Sequence, residues 1–184
     1  MRTRIALTLA AAALATAAPA HAAATLGARV LEKGDRGNDV RVLQKLLTWK
    51  GWNPGPVDGV FGRKTKRAVK HFQRKRRIGV DGAVGPQTIS EIAEPWGLRR
   101  ASIYGPGLYG NRTACGQTLR KKTMGLAHRT LPCGRRVPTF HHGRIAIFRV
   151  IDRGPYTDGV QLDLTSAAAR KLHMSSTGNV RAGY

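Results

Sequence analysis

Acidic residues are scarce in this chain. Ten Asp and Glu stand against 32 Lys and Arg, a formal charge of +22 over 184 residues. The shortage is sharpest in the C-terminal half, where the carboxylate side chains beyond residue 98 are Asp152, Asp158 and Asp163 and glutamate is absent. Any chemistry there that needs paired carboxylates must draw on these three. Cysteine is limited to Cys115 and Cys133, too few for a cysteine-rich metal site. No His-Glu-x-x-His run and no Gly-x-Ser-x-Gly elbow occurs, so zincin-type proteolysis and α/β-hydrolase chemistry have no footing. No metal and no cofactor is implied. His141 and His142, adjacent and beside Gly143, are poorly spaced to ligate from one face and read as a hairpin tip.

Long apolar runs are also rare. The one of note, Ile5 to Ala18, follows Arg2 and Arg4 and precedes Ala20-His21-Ala22. A charged start, a short apolar middle and a small-x-small site form a secretory signal, predicted to span residues 1–22. The run is short for a membrane span of about 20 residues, and no cysteine follows the cleavage site to carry a lipid. The expectation is a secreted, wall-associated mature chain, monomeric and without a membrane anchor; an uncleaved anchor is the alternative. In an oxidising compartment two cysteines favour a disulfide, with a catalytic thiol beside His128 as the sharper alternative. The positive field attracts polyanions without choosing among them. Export moves the expected partner from nucleic acid to peptidoglycan carboxylates and to anionic wall polymers.

What is present in quantity is pattern. Val40, Leu43, Leu46 and Leu47 recur at helical steps up to a stop at Gly51, with Asn38 or Asp39 as candidate N-caps. Val57-Asp58-Gly59-Val60-Phe61-Gly62 then recurs as Val80-Asp81-Gly82-Ala83-Val84-Gly85, and each copy leads into an apolar stripe: Ala68, Val69 and Phe72 in the first, Ile89 and Ile92 in the second. A tight Asp-Gly turn opening a helix, twice over, builds a compact three-helix unit. The stretch from Leu31 to Ile92 resembles the peptidoglycan-binding domain found at the ends of many wall hydrolases. The resemblance is carried by the duplicated loop together with Leu43, Gln44, Leu47, Thr65, Phe72, Gln73 and Thr88. It implies noncovalent attachment to peptidoglycan over residues 29–94. Trp52, Asp58 and Asp81 are the candidate wall contacts, the aspartates having turn formation as their other reading.

After Glu94-Pro95-Trp96-Gly97, a connection short enough for the two parts to touch, the pattern turns to short β-type runs. These are Ala101–Tyr104, Arg144–Asp152 and Val160–Leu164, punctuated by Gly and Pro. One helix follows from Ser166 to Leu172, capped by Thr165 or Ser166. Short strands with one helix suggest a small closed barrel. In order along the chain, Ala101-Ser102-Ile103-Tyr104-Gly105, Thr113-Ala114-Cys115-Gly116-Gln117, Ala127-His128-Arg129-Thr130-Leu131-Pro132, Asp152-Arg153-Gly154-Pro155-Tyr156 and Asp163-Leu164-Thr165 resemble the rare lipoprotein A family of double-psi β-barrels. That family is kin to expansins and to some lytic transglycosylases.

The combined expectation is an α + β chain of two domains: a small three-helix peptidoglycan-binding bundle, then a six-stranded double-psi β-barrel over residues 99–184. The resemblance puts the family's catalytic histidine and first aspartate on His128 and Asp152, and the key aspartate of expansin-like relatives on Asp163. Gln117 stands where catalytic members carry an acid. An amide orients a sugar or a water but gives up no proton. Gln117, Tyr104, Tyr156 and Arg153 are the candidate groove residues. Two functions stay open: a lytic transglycosylase acting on glycan strands, and a non-catalytic, expansin-like binding or wall-loosening protein.

Overall fold

The computed structural model describes residues 25–184; the predicted signal, 1–22, lies outside the described residues. The fold is α + β, a three-helix bundle followed by a closed six-stranded barrel. The bundle consists of α1 (Asn38–Trp49), α2 (Arg63–Arg76) and α3 (Pro86–Ala93). The stripes legible in the sequence meet in one core: Val40, Leu43, Leu46 and Leu47 from α1, Val69 and Phe72 from α2, Ile89 and Ile92 from α3, with Leu31, Phe61 and Val84 from the connecting segments. The α1 N-cap is Gly37, not Asn38 or Asp39, and no side chain caps the helix. The Asp39 carboxylate is occupied otherwise: Arg29 Nε donates to Oδ2 at 2.9 Å, and Oδ1 accepts from the Val40 N–H.

The duplicated loop is duplicated in its hydrogen bonds. Gln44 Nε2 donates to Asp58 Oδ1 (2.9 Å) and to the Val60 carbonyl (3.1 Å), while Gln44 Oε1 accepts from the Gly59 N–H (2.9 Å). In the second copy Gln73 Nε2 donates to Asp81 Oδ1 (2.7 Å) and to the Ala83 carbonyl (2.9 Å), and Gln73 Oε1 accepts from the Gly82 N–H (2.9 Å). Both glutamines are 1% exposed, so each must have its amide fully satisfied; the Asp-Gly turn satisfies it. Gly59 and Gly82 take φ +81° and +76°, which side chains with a Cβ resist.

The barrel strands are β1 (Gly97–Tyr104), β2 (Leu126–Ala127), β3 (Arg136–His141), β4 (Arg144–Asp152), β5 (Leu162–Thr165) and β6 (Gly178–Ala182), with α4 (Ser166–Lys171) between the last two. Around the barrel they run β1-β5-β2-β4-β3-β6, and β6 closes onto β1. Two pairs are parallel, β1 with β5 and β2 with β4. Ala101, Leu126, Phe148, Val150, Leu162, Leu164 and Val180 fill the interior. The Thr165 hydroxyl caps α4 by accepting from the Ala168 N–H at 3.2 Å. His142 and Gly143 form the turn of the β3–β4 hairpin, both at positive φ.

The bundle and barrel share a contact. Ile145 on β4 is fully buried in the helical core, with Phe140 and Ile147 packed beside it. These residues alternate along the hairpin with Ala146 and Phe148, which belong to the barrel interior; the period-two pleat gives each face its own core. Arg181 Nη1 donates to the carbonyls of Glu94 (3.1 Å) and Trp96 (3.2 Å) across the connection.

Candidate active site

Two aspartates are brought to one face of the barrel by register. On β5, Asp163 lies between Leu162 and Leu164, both fully buried in the interior, so alternation turns Asp163 outward. Its neighbours in register are Ser102 on β1 and Ala127 on β2. On β4, strict alternation from Phe148 and Val150 would point Asp152 inward. A bulge prevents this: Leu126 pairs with Val150 but the next residue, Ala127, pairs with Asp152. One extra residue, Ile151, moves Asp152 to the other face. Gly125 makes room for it, since a Cβ there would stand 2.6 Å from Ile151 Cδ1. The result is a row across four strands: Ser102, Asp163, Ala127, Asp152.

The two carboxylates are held differently. Asp163 is partly buried and, among the described residues, accepts one hydrogen bond, from Ser102 Oγ at 2.9 Å. Burial pushes its carboxyl above the ordinary 3.8; the Ser102 bond opposes this and the Asp152 charge adds to it. Asp152 Oδ1 accepts from the N–H of Ala114 (2.8 Å) and of Arg153 (2.9 Å), leaving Oδ2 unused among the described residues. Among the described residues neither carboxylate has a Lys or Arg nitrogen within ion-pair distance. The guanidinium of Arg153, next in sequence to Asp152, is spent on backbone carbonyls, Leu131 at 3.1 Å and His128 at 3.5 Å.

Tyr104 stands on the same face of β1, two residues beyond Ser102. Its hydroxyl is buried and has no hydrogen-bond partner among the described residues. Burial raises its pKa far above the ordinary value, and the charges of Asp152 and Asp163 both add to the rise. An unsatisfied buried donor beside two carboxylates is expensive to keep.

His128 follows Ala127, and its N–H donates to the Asp152 carbonyl at 3.2 Å. Nδ1 accepts from two backbone N–H groups, Thr130 (3.1 Å) and Leu131 (3.0 Å), which assigns the ring proton to Nε2. Burial, then Arg153 and Arg99, hold its pKa below the ordinary value. The ring meets Tyr184 edge-on at 4.9 Å. Gln117 is exposed, on the loop whose Ala114 N–H is held by Asp152; the Gln117 carbonyl closes that loop by accepting from the Thr113 N–H at 2.8 Å. A Cys115–Cys133 disulfide ties the loop to the segment leading into β3. Tyr156 is 80% exposed, on a loop whose Pro155 carbonyl accepts from Arg129 Nε at 2.6 Å.

The remaining candidates lie on the bundle, away from this row. Trp52 is half-buried against the helical core and meets His71 edge-on at 6.3 Å. Asp58 and Asp81 each hold a turn through one carboxylate oxygen, and hydrogen bonds depress the pKa of both. Asp58 also lines a hollow of about 240 Å³ with Pro54, Pro56 and Arg63. Ser102 was not singled out from sequence, although the alternation of Ala101, Ser102, Ile103 and Tyr104 contains the signal: it puts Ser102 and Tyr104 on one face. Among the described residues no cluster of His, Cys, Asp or Glu suits a metal ion, and no helix is long and apolar enough to cross a membrane.

Comparison with known proteins agrees with both halves. Residues 36–92 match the family described as putative peptidoglycan binding domain, and residues 100–184 match the family described as lytic transglycolase. A probable endolytic peptidoglycan transglycosylase RlpA of Synechocystis sp. is 45% identical over 84 residues, 44% of this chain and 26% of that protein. The endolytic peptidoglycan transglycosylase RlpA of Yersinia pestis is 41% identical over 135 residues, 71% of this chain and 36% of that protein. The matches thus span about a quarter to a third of those relatives' length. Among solved structures, the SleB N-terminal domain is 39% identical, with a TM-score of 0.35, over 36% of this chain and 90% of that one. The chain therefore joins, in tandem, a segment that matches the peptidoglycan binding domain family and a segment that matches the lytic transglycolase family.

Proposed function

We propose that the protein is an exported, wall-associated lytic transglycosylase, anchored to peptidoglycan by its helical bundle and cutting glycan strands on the outer face of its barrel. The observation that carries this reading is the Asp163–Ala127–Asp152 row, with one carboxyl raised in pKa by burial and a second close enough to raise it further. Asp163 is the acid and then the base. It protonates the bridging oxygen as the bond from MurNAc C1 breaks. The sugar's own 6-hydroxyl closes on C1, and its proton returns to Asp163. No water enters the balance, so one proton-transfer group suffices where a hydrolase uses two. Asp152, its Oδ2 unused, stabilises the positive charge that develops at C1.

In this reading the Tyr104 hydroxyl donates to a sugar oxygen, and His128 offers its Nε2–H. Gln117 and Tyr156 line the groove, and Arg153 holds the His128 loop in place. On the bundle, Trp52, Asp58 and Asp81 are the candidate wall contacts. A separate all-cationic hollow, lined by Lys33, Arg63, Lys66, Arg67, Lys70 and Arg74, suits anionic wall polymers.

The test is digestion of purified sacculi. Wild-type protein is expected to release 1,6-anhydro muropeptides, and Asp163→Asn to lower the rate at least about 100-fold. Release undiminished in both Asp163→Asn and Asp152→Asn removes the assignment. Gln117 supports a second reading, an expansin-like protein that grips strands without cutting. Its signature is sedimentation with sacculi and no muropeptide release.

A further inference from the structure

On the outer face of α2, six cations surround a hollow of about 340 Å³: Lys33, Arg63, Lys66, Arg67, Lys70 and Arg74. It shares Arg63 with the Asp58 hollow and is separate from the cleft between bundle and barrel that Trp49, Trp96 and Tyr184 line. The opposite face of α2 sends Thr65, Ala68, Val69, Phe72 and Gln73 into the core, so the helical period sorts the cations outward. No acidic side chain lines the hollow. Among the described residues none of the six cations takes part in an ion pair.

This cluster differs from a merely solvated basic face. Its charges stand where a helix tolerates them least. Arg63 and Arg67, Lys66 and Lys70, and Lys70 and Arg74 are like-charge neighbours four residues apart, which weaken a helix. Arg63 also opens α2, whose first turn holds no acid, and there the helix dipole disfavours a cation. The lysine stems are ordered as well. Lys66 and Lys70 are half-buried over Gly82, where a Cβ would stand 2.9 Å from Lys70 Cε and 3.0 Å from Lys66 Cε. Packed stems have less rotamer freedom to lose when their ammonium groups bind. The acid beside that glycine, Asp81, is taken by Gln73 Nε2 (2.7 Å) and the Ala83 N–H (2.9 Å) and pairs with neither lysine.

We propose that this face binds a linear phosphodiester polymer of the wall, of the polyol phosphate kind, laid along α2 with one phosphate at each helical turn. The proposal deepens the reading above, which gives the hollow to anionic wall polymers, and rests on it for location. From Arg63 to Arg74 the cations recur once per turn of about 5.4 Å, over about 16 Å. A polyol phosphate repeat of six backbone bonds reaches about 7 Å when extended, the length of two residues. A slightly relaxed chain therefore keeps step with the helix and meets about four cation positions. Guanidinium and ammonium groups both suit phosphate oxygens. The hollow has no aromatic ring on which a base could stack, which disfavours single-stranded nucleic acid. The bundle thereby holds a second wall polymer besides peptidoglycan.

The test is calorimetric binding of the mature chain to a soluble glycerol phosphate hexamer across a range of salt. Oligothymidylate and polyglutamate of equal charge are the comparison probes. The logarithm of affinity is expected to fall against the logarithm of salt with a slope of about −3, roughly 0.7 for each of four phosphates. Lys66→Gln/Arg67→Gln/Lys70→Gln is expected to weaken binding at least about ten-fold at 0.15 M salt and to flatten the slope by about 2. Its melting temperature is expected to equal or exceed that of wild type, because like charges are removed. A charge-matched control on exposed barrel residues, Arg120→Gln/Lys121→Gln/Lys122→Gln, is expected to leave affinity and slope unchanged. Equal weakening in the control overturns the proposal, since binding then follows net charge alone. So does equal or tighter binding of thymidylate or polyglutamate. Sacculi stripped of phosphodiester polymer separate this site from the peptidoglycan reading: the α2 variant is expected to bind and digest them as wild type does, and a loss there overturns the proposal. A chain that binds the hexamer through these residues yet releases no anhydro products keeps this site and loses only the catalytic reading.

Discussion

Asp152 and Asp163 stand opposite the same residue, Ala127, one on each side of β2. Two strand spacings separate their α-carbons, roughly 9.5 Å. Their side chains share a face because a one-residue bulge in β4 reverses the direction Asp152 would otherwise take. Similar residue types thus acquire different environments. Asp163 is desolvated and accepts a single hydroxyl, while Asp152 anchors two backbone N–H groups. Divergent environments for paired carboxyls are how one becomes the proton carrier and the other the fixed charge.

Asp163 makes stability depend on pH in a defined direction. Its folded-state pKa lies above the unfolded value near 3.8, so the folded state binds more protons than the unfolded state just above that pH. Its contribution is complete below pH about 3.8 and is lost as pH rises through the folded pKa. Asp163→Asn has no such loss. The melting temperature of the variant minus that of the wild type is therefore expected to increase from pH 3.5 to neutrality; a constant difference over that range refutes the raised value.

Gln117 lies on the loop that Asp152 holds, where the resembling catalytic barrels carry an acid. Gln117→Glu restores a proton donor there. It is expected to raise anhydro-muropeptide release from sacculi about ten-fold or more, with little change in melting temperature because the side chain is exposed. An unchanged rate means the acid is dispensable in this barrel.

His128 is expected to be neutral at pH 7, with its proton on Nε2, because Nδ1 accepts from Thr130 and Leu131. Nitrogen-15 shifts of the ring report this directly. Its pKa is depressed, so its contribution to stability is present above the ordinary value of 6.5 and is lost as pH falls through the depressed folded value. A proton found on Nδ1 at neutral pH contradicts the assignment.

The disulfide joins residues 18 apart in sequence. A loop of that length is worth about 3 kcal/mol by chain-entropy reasoning. Cys115→Ser/Cys133→Ser is expected to lower unfolding stability by that amount in urea. It also frees the Gln117 loop, visible as faster amide exchange at Ala114. Exchange at Ala114 equal to wild type shows that Asp152 alone holds the loop.

Much of the bundle was legible because its signals are local. Helical periodicity placed α1, α2 and α3, and the repeated Asp-Gly turn announced two equivalent loops. What the repeat does was not legible: Gln44 and Gln73 are polar residues read from sequence as family matches, and only their burial shows that they bolt each turn to the preceding helix. The α1 cap was misplaced for a related reason. Asn38 and Asp39 have the right chemistry, but Arg29, ten residues upstream of Asp39, takes the carboxylate. In the barrel, β4, β5 and α4 announced themselves by pattern, whereas two-residue β2 carries no period of its own and exists only through its partners.

The sequence by itself determined the inventory: three carboxylates in the barrel region, a strong positive charge, a twice-used turn and a helical core. Those follow from composition and from contacts between near neighbours, which periodicity records. The tertiary structure alone decided the convergence of Asp152, Asp163, Ser102 and Tyr104, and the union of Trp49, Trp96 and Tyr184 in one cleft. Both depend on pairing between distant strands, on a bulge whose register exists only when β2 and β4 meet, and on a hairpin that gives one face to each core.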